Sequence, residues 1–358
     1  MKYFDKYTSN TCASSGNQLY FSTEGKRCTG RVFYKIFKGG EYGYSLLFSN
    51  IIDSTYADGD VSHKNLICGE WIIHSAKIGK CTYIHKDITD YGDISVSDFK
   101  DITFEGKSSK NVMPGEFFST DPIKMEFKKG EYLCLEMTFS GTMLPYHEES
   151  LLPIYIKNGE KWEYNKKMPL PGMIGCDRPV KERVGYWGDS ITQGYDAAHP
   201  NQTYVNLLAD AWDASVLNQA IGGDVFCPEN LDPALDFAPD IITVAYGTND
   251  WTLQVLQSGA AGEYLDKLTM LYPGVPVFVL LPLWREVEHE LRGGITLQQG
   301  RELLASWAEN RENVFVIDCH HFVPFLPEYF YDGVLHPNDM GYLYYARALE
   351  KAVPLFSH

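Results

Sequence analysis

The chain has 358 residues, 44% hydrophobic and 14% aromatic, enough for two domains that each bury a core. Its formal net charge is -16, from 31 Lys and Arg against 47 Asp and Glu, with no basic run. Such a surface repels phosphate backbones and anionic lipid, which argues against nucleic-acid and membrane-surface partners. No stretch approaches the roughly 18 apolar residues that span a bilayer. The opening Met1-Lys2-Tyr3-Phe4-Asp5-Lys6 carries no apolar signal core. The 8 cysteines (Cys12, Cys28, Cys68, Cys81, Cys134, Cys176, Cys227, Cys319) form no Cys-x-x-Cys pair. Reduced thiols and a cytoplasmic location are the expectation.

From Lys2 to about Glu163 the apolar pattern has period two with turn punctuation. Segments 31–37, 42–51, 71–78 and 102–104 read as strands. Ile123–Phe127 and Tyr132–Met137 read as a hairpin turning at Lys129-Gly130. Many short strands at regular spacing predict an N-terminal all-β sandwich of jelly-roll type. His63, His74 and His85 stand apart from one another and from paired carboxylates, which favours surface or core roles over metal ligation. The stretch Lys166 to Gly175 has the proline and glycine content of a connector. A boundary at Arg178 gives domains of 1–178 and 179–358.

After Pro179 the pattern changes. Near-continuous apolar strands at 184–187, 215–218, 241–246, 277–281 and 314–317 alternate with helices. The helices start near Thr203 and cover about 262–271, 298–309 and 339–352. This predicts a parallel sheet covered on both faces, a three-layer α/β domain whose reactive groups gather at the carboxyl ends of the strands. Those ends carry Gly188-Asp189-Ser190, the Gly222-Gly223-Asp224 loop, Gly247-Thr248-Asn249-Asp250 and Asp332-Gly333-Val334-Leu335-His336-Pro337-Asn338. Each delivers one group that acyl transfer needs: a hydroxyl nucleophile, an amide donor, a carboxamide donor, and an imidazole near a carboxylate. Singly, each has a plain structural reading as an N-cap, a turn residue or a loop histidine. Together, at four strand ends in order, they make coincidence a poor account.

These four blocks resemble those of the SGNH/GDSL hydrolase superfamily, over roughly Glu182 to Leu355. The preceding sandwich adds an architectural similarity to two-domain carbohydrate acetylesterases of that superfamily. The resemblance implies a flavodoxin-like, SGNH-hydrolase-type fold for 179–358. It also implies Ser190 as nucleophile, His336 as general base and Asp332 as the group that orients it. The oxyanion would be held by the backbone amides of Ser190 and Gly223 and by the carboxamide of Asn249. Gly223 is preferred to Gly222 because the family glycine precedes a residue like Asp224. The family aspartate stands three residues before its histidine, whereas Asp332 stands four before. Were the extra residue to swing Asp332 away, a backbone carbonyl would orient His336, with Asp318 and Asp339 as poorer candidates.

No metal or cofactor is called for, since the mechanism has its own base. The implied partner is a small-molecule or oligosaccharide ester, cleaved at a small acyl group, acetyl by the second likeness. Two alternatives stand beside this reading. One is a lipase-like or thioesterase enzyme with a longer acyl pocket; the other is a non-catalytic carbohydrate-binding protein. Trp187, Trp251 and Trp284, with Arg285, flank the strand ends as candidates for an acyl pocket or sugar platform, core packing being the alternative for Trp187. Oligomeric state is left open.

Overall fold

A computed structural model describes residues 2–11, 16–57, 60–233 and 235–353, with 55–57 and 60–63 as backbone alone. Cys12 and the His63 side chain lie outside the described residues; the other seven cysteines are free thiols. The chain divides into two compact units, Met1–Asp53 with Leu66–Pro179, and Ser54–Asn65 with Val180–His358. A cut at 178/179 leaves residues 54–65 in the first domain; in the structure they pack with the second unit.

The first unit is strand-rich, with two antiparallel sheets facing one core. One sheet runs Thr8–Ser9, Met173–Cys176, Gly40–Ser49, Phe117–Ser119, with Ile123–Phe127 also paired to Gly40–Ser49. The other is built around Cys28–Lys35, Tyr132–Gly141 and Trp71–Cys81. Alternation sends Val32 and Tyr34 from one sheet, and Tyr44, Leu46 and Phe48 from the other, into the same buried cluster. Phe48 and Phe118 stack at 5.0 Å across paired strands.

Two strand expectations fail here, for different reasons. Ile123–Phe127 and Tyr132–Gly141 do not pair as a hairpin: the first joins Gly40–Ser49, the second Cys28–Lys35 and Trp71–Cys81. The turn, with Gly130 at φ 87°, carries the chain from one sheet to the other. Period two fixes which face is buried but not which strand lies alongside, and Met125, Phe127, Leu133 and Leu135 enter one core from opposite sheets. Nor are residues 102–104 a strand. Ile102 and Phe104 are buried, yet Phe104 makes only an isolated bridge to Lys107, and the strand ends at Asp101.

The second unit holds five parallel strands: β1 (Arg183–Gly188), β2 (Ser215–Asn218), β3 (Ile241–Ala245), β4 (Val277–Leu280) and β5 (Val314–Ile317). Their order is 2-1-3-4-5, the flavodoxin-like order, with the topological switch between β1 and β3. Successive β1 residues point to opposite faces. Tyr186 meets Tyr204 of one helix layer, while Trp187 joins the cluster formed with Tyr264, Leu265 and Leu304 of the other. The helices are α1 (Ser190–Gln193), α2 (Tyr204–Trp212), α3 (Thr248–Thr252), α4 (Ala260–Leu271), α5 (Leu297–Ala308) and α6 (Asp339–Ala352). α2 and α6 pack through Tyr204 and Tyr345, with ring centroids 4.4 Å apart. Among the described residues no helix is long and apolar enough to cross a membrane.

One buried group makes the first unit acid-sensitive. His147 is 2% exposed, and among the described residues neither ring nitrogen has a hydrogen-bond partner. Burial, helped by nearby Lys166, pushes its imidazole down to about 3. From the ordinary value of about 6.5 down to that point the unfolded chain holds the proton and the folded one does not. Stability therefore falls as pH falls, by ~1.4 kcal/mol per pH unit from this group. In urea melts at pH 7 and pH 5, His147→Leu should lose less stability than the wild type. Equal losses would show that the imidazole is not the sensitive group.

Candidate active site

β1 ends at Gly188, where nothing larger fits. A Cβ would lie 2.4 Å from Thr192 Oγ1 and 2.9 Å from the Ala245 carbonyl oxygen. Asp189 then caps α1, its Oδ1 accepting the Ile191 N–H at 3.0 Å. Ser190 opens that short helix and is 8% exposed. Its Oγ lies 3.0 Å from His336 Nε2, and His336 Nδ1 lies 2.9 Å from Asp332 Oδ2. A proton on Nδ1 facing the carboxylate leaves the Nε2 lone pair for the serine hydroxyl.

The four-residue spacing does not displace Asp332. Its Oδ1 accepts the N–H groups of Val334, Leu335 and His336 at 2.9, 2.8 and 3.1 Å, so the carboxylate wraps its own turn and keeps Oδ2 for the imidazole. Partial burial opposes ionisation of Asp332, but those three donors and His336 outweigh it and hold the carboxyl below its ordinary range. Just beyond, Asn338 caps α6 by accepting from the Met340 and Gly341 N–H groups. The histidine thus sits between a closed turn and a capped helix.

The donor groups converge from β2 and β3. Gly223 adopts φ 80°, a left-handed conformation that suits glycine. The Gly222 N–H is taken by the Gln193 side chain. Among the described residues, the N–H groups of Gly223 and Ser190 meet no acceptor. Asn249 Nδ2 donates to the Asp224 carbonyl oxygen at 3.0 Å, and a carboxamide carries a second hydrogen. The arrangement can accept a proton from a serine hydroxyl and offer several N–H donors to an oxygen that gains negative charge.

Four aspartates escaped the sequence reading. Asp189, Asp224 and Asp250, each 2% exposed, adjoin Ser190, Gly223 and Asn249. Asp224 accepts from Val225 N–H, Ser54 Oγ and Asn230 Nδ2; Asp250 accepts from the Phe226 and Gly247 N–H groups at 3.0 and 2.9 Å. Burial pushes each of the three carboxyls up to about 7, and the nearby Asp224 charge adds to it at Asp189 and Asp250. Their signal was adjacency to the four blocks. The fourth, Asp196, places Oδ2 3.4 Å from His336 Nδ1 and belongs to no motif. Asp196, Asp332 and His336 bring three donor atoms within 4.8 Å of one another. Both imidazole nitrogens already face protein partners, Nε2 the Ser190 hydroxyl and Nδ1 the two carboxylates.

Of the three tryptophans, Trp187 and Trp251 are core residues, 5% and 0% exposed. Trp251 also donates to the Ile295 carbonyl at 2.9 Å. Trp284 is partly exposed and stacks on Phe325 at 5.2 Å. Arg285 donates to the Thr248 and Thr252 hydroxyls rather than standing free.

The buried carboxyls predict a pH trend opposite to that of His147. Asp189 holds its proton in the folded state up to about 7, whereas an unfolded aspartate loses it near 4. Stability from this group is full below about 4 and is lost as pH rises towards 7. Asp189→Asn keeps an oxygen for the Ile191 N–H and removes the titration. Thermal melts of the second unit at pH 5 and 7.5 should differ less in this variant than in the wild type. An unchanged difference would refute the assignment.

Residues 186–343 match the model of the GDSL-like lipase/acylhydrolase family. Comparison with curated proteins gives no match. Similar solved structures include an active-site mutant of a family two carbohydrate esterase from Clostridium thermocellum, at 13% identity, covering 97% of each chain with a TM-score of 0.44. Another is an acetyl xylan esterase from Geobacillus stearothermophilus, at 18% identity over 48% of this chain and 94% of that one, TM-score 0.40. A third is a salicylyl-acyltransferase from a tetracycline biosynthetic pathway, at 14% identity over 92% of this chain and 82% of that one, TM-score 0.41. That family match begins within β1 and ends within α6, and it spans Ser190, Gly223, Asn249, Asp332 and His336.

Proposed function

We propose that this protein is a serine esterase that hydrolyses a small acyl ester, acetyl by preference, on a carbohydrate or related alcohol. The observation that supports it is the unbroken chain Asp332–His336–Ser190, with links of 2.9 and 3.0 Å. Ser190 Oγ attacks the acyl carbon while its proton passes to His336 Nε2, and the carbonyl electron pair moves onto oxygen. That oxyanion accepts from the N–H groups of Ser190 and Gly223 and from Asn249 Nδ2. Gly222 is the poorer donor, because Gln193 already holds its N–H. Collapse breaks the ester C–O bond, and Nε2 returns the proton to the departing alcohol oxygen. Water then attacks the acyl-serine, gives its proton to Nε2, and the acid leaves as Ser190 Oγ is reprotonated. Asp332 stays ionised throughout, consistent with its lowered carboxyl.

The choice of acetyl and sugar rests on the architectural resemblance of the two-domain plan to carbohydrate acetylesterases. Acetylated mono- and oligosaccharides are therefore the substrates to screen for released acetate.

With 4-nitrophenyl acetate, Ser190→Ala should abolish turnover. Asn249→Ala should cost roughly a hundred- to a thousand-fold in kcat. Turnover that survives Ser190→Ala would sink the esterase reading. Rates should fall from the acetate to the octanoate ester, and the reverse order would favour the longer, lipase-like pocket.

A further inference from the structure

His336 faces two carboxylates. Asp332 takes the Nδ1 hydrogen bond at 2.9 Å, and Asp196 Oδ2 stands 3.4 Å from the same nitrogen. Both contacts are screened from water, with side-chain exposures of 17% for His336, 15% for Asp196 and 30% for Asp332. Asp196 is the better shielded of the two acids.

The segment carrying Asp196 is tied down. Gly194 and Tyr195 donate their N–H groups to the Ser190 carbonyl, both at 2.9 Å, and Ala197 N–H donates to Gly194 O at 3.1 Å. The Tyr342 hydroxyl donates to Tyr195 O at 2.8 Å. The Tyr195 ring meets the imidazole edge-on, with centroids 4.9 Å apart. Asp196 itself adopts φ 67°, a left-handed conformation that aspartate tolerates better than most residues. The turn after the nucleophile helix is therefore built to hold a second carboxylate against the base.

We propose that Asp196 is a positioning residue for His336, sharing with Asp332 the stabilisation of the imidazolium that forms when Nε2 takes the Ser190 proton. The proposal rests on the esterase reading above. Asp332 has one oxygen committed to three backbone N–H groups, so only Oδ2 is left for the ring. A second negative charge at ion-pair distance strengthens the pull on the Nδ1 proton as the ring becomes positive. Among the described residues, the charged or titratable groups facing the ring are Asp332 on its own turn, and Ser190, Tyr195 and Asp196 on the segment after β1. Arg285 couples electrostatically to Asp332 and Asp189.

The test uses full-length protein carrying Asp196→Asn, Asp332→Asn, both together, and Ser190→Ala, assayed with 4-nitrophenyl acetate from pH 5 to 9. Asparagine keeps the size and tolerates the left-handed backbone. Asp196→Asn should lower kcat/KM about tenfold and move the acid limb of the profile to lower pH, because a neighbouring negative charge favours the protonated ring. The double variant should be about tenfold slower than Asp332→Asn alone. A wild-type acid limb in Asp196→Asn, with a double variant no slower than Asp332→Asn, would overturn the proposal. Titration of the imidazole by NMR with 13C-labelled histidine, comparing Ser190→Ala with and without Asp196→Asn, gives a readout that needs no turnover. A midpoint moving to lower pH without the carboxylate supports the role, and an unmoved midpoint overturns it. Turnover by Ser190→Ala would instead defeat the esterase reading, while the NMR comparison still judges Asp196.

Discussion

The 3.0 Å hydrogen bond between Ser190 and His336 spans 146 residues of sequence, and most of the second unit serves to keep it short. Ser190 follows β1, which is paired on both sides by β2 and β3. His336 stands just ahead of α6, whose Tyr345 packs on Tyr204 of α2 and whose Tyr342 bonds the Tyr195 carbonyl, five residues after the serine. The final helix is thus fastened to the segment that follows the nucleophile. Closing such a long loop costs entropy that one hydrogen bond cannot recover. The sheet and the tyrosine-rich helix packing supply it, and the relay inherits a geometry already fixed.

A second constraint is electrostatic. Asp189, Asp224 and Asp250 crowd the turns that carry Ser190, Gly223 and Asn249, where they accept backbone N–H groups that tight turns leave over. Fully ionised, three such carboxylates would oppose a negative oxygen forming among those turns. Burial raises all three carboxyls towards neutrality, which lessens that opposition while the acceptor oxygens stay in place. The same side chains can hold the turns rigid without filling the site with negative charge.

How much of this was legible in the sequence depended on the kind of information needed. Parallel strands buried on both faces write themselves as apolar runs, and β3 and β4 lie where those runs are. The four blocks gave the residues at the strand ends, because a strand–turn–helix boundary needs glycine and small polar residues whatever its role. Which strands pair across the first unit was not legible: 123–127 and 132–137 alternate correctly for a hairpin and for opposite sheets alike. Asp196 left no trace, since its approach to His336 depends on a left-handed turn and on another turn, 140 residues further on, meeting it. In sequence, the following residue alone favours Gly223 over Gly222; the structure adds that Gln193 holds the Gly222 N–H and that Gly223 takes the left-handed conformation.

The segment 54–65 shows why sequence order and structural order part company. It lies among the strands of the first half, yet it packs with the second unit. There Ser54 Oγ donates to Asp224 Oδ1 at 3.0 Å, Asn65 donates to the Glu229 carbonyl, and Lys64 pairs with Cys227. Asp224 in turn offers its carbonyl oxygen to Asn249 and directly follows Gly223. A hydroxyl contributed from the first half therefore helps satisfy the buried carboxyl on which two of the proposed oxyanion donors depend. Residues 180–358 alone would leave that carboxyl short of a donor in a dry site, where a missing hydrogen bond costs about 1–3 kcal/mol. The hydrolase-like half is complete only with a strand that the chain supplies more than a hundred residues earlier.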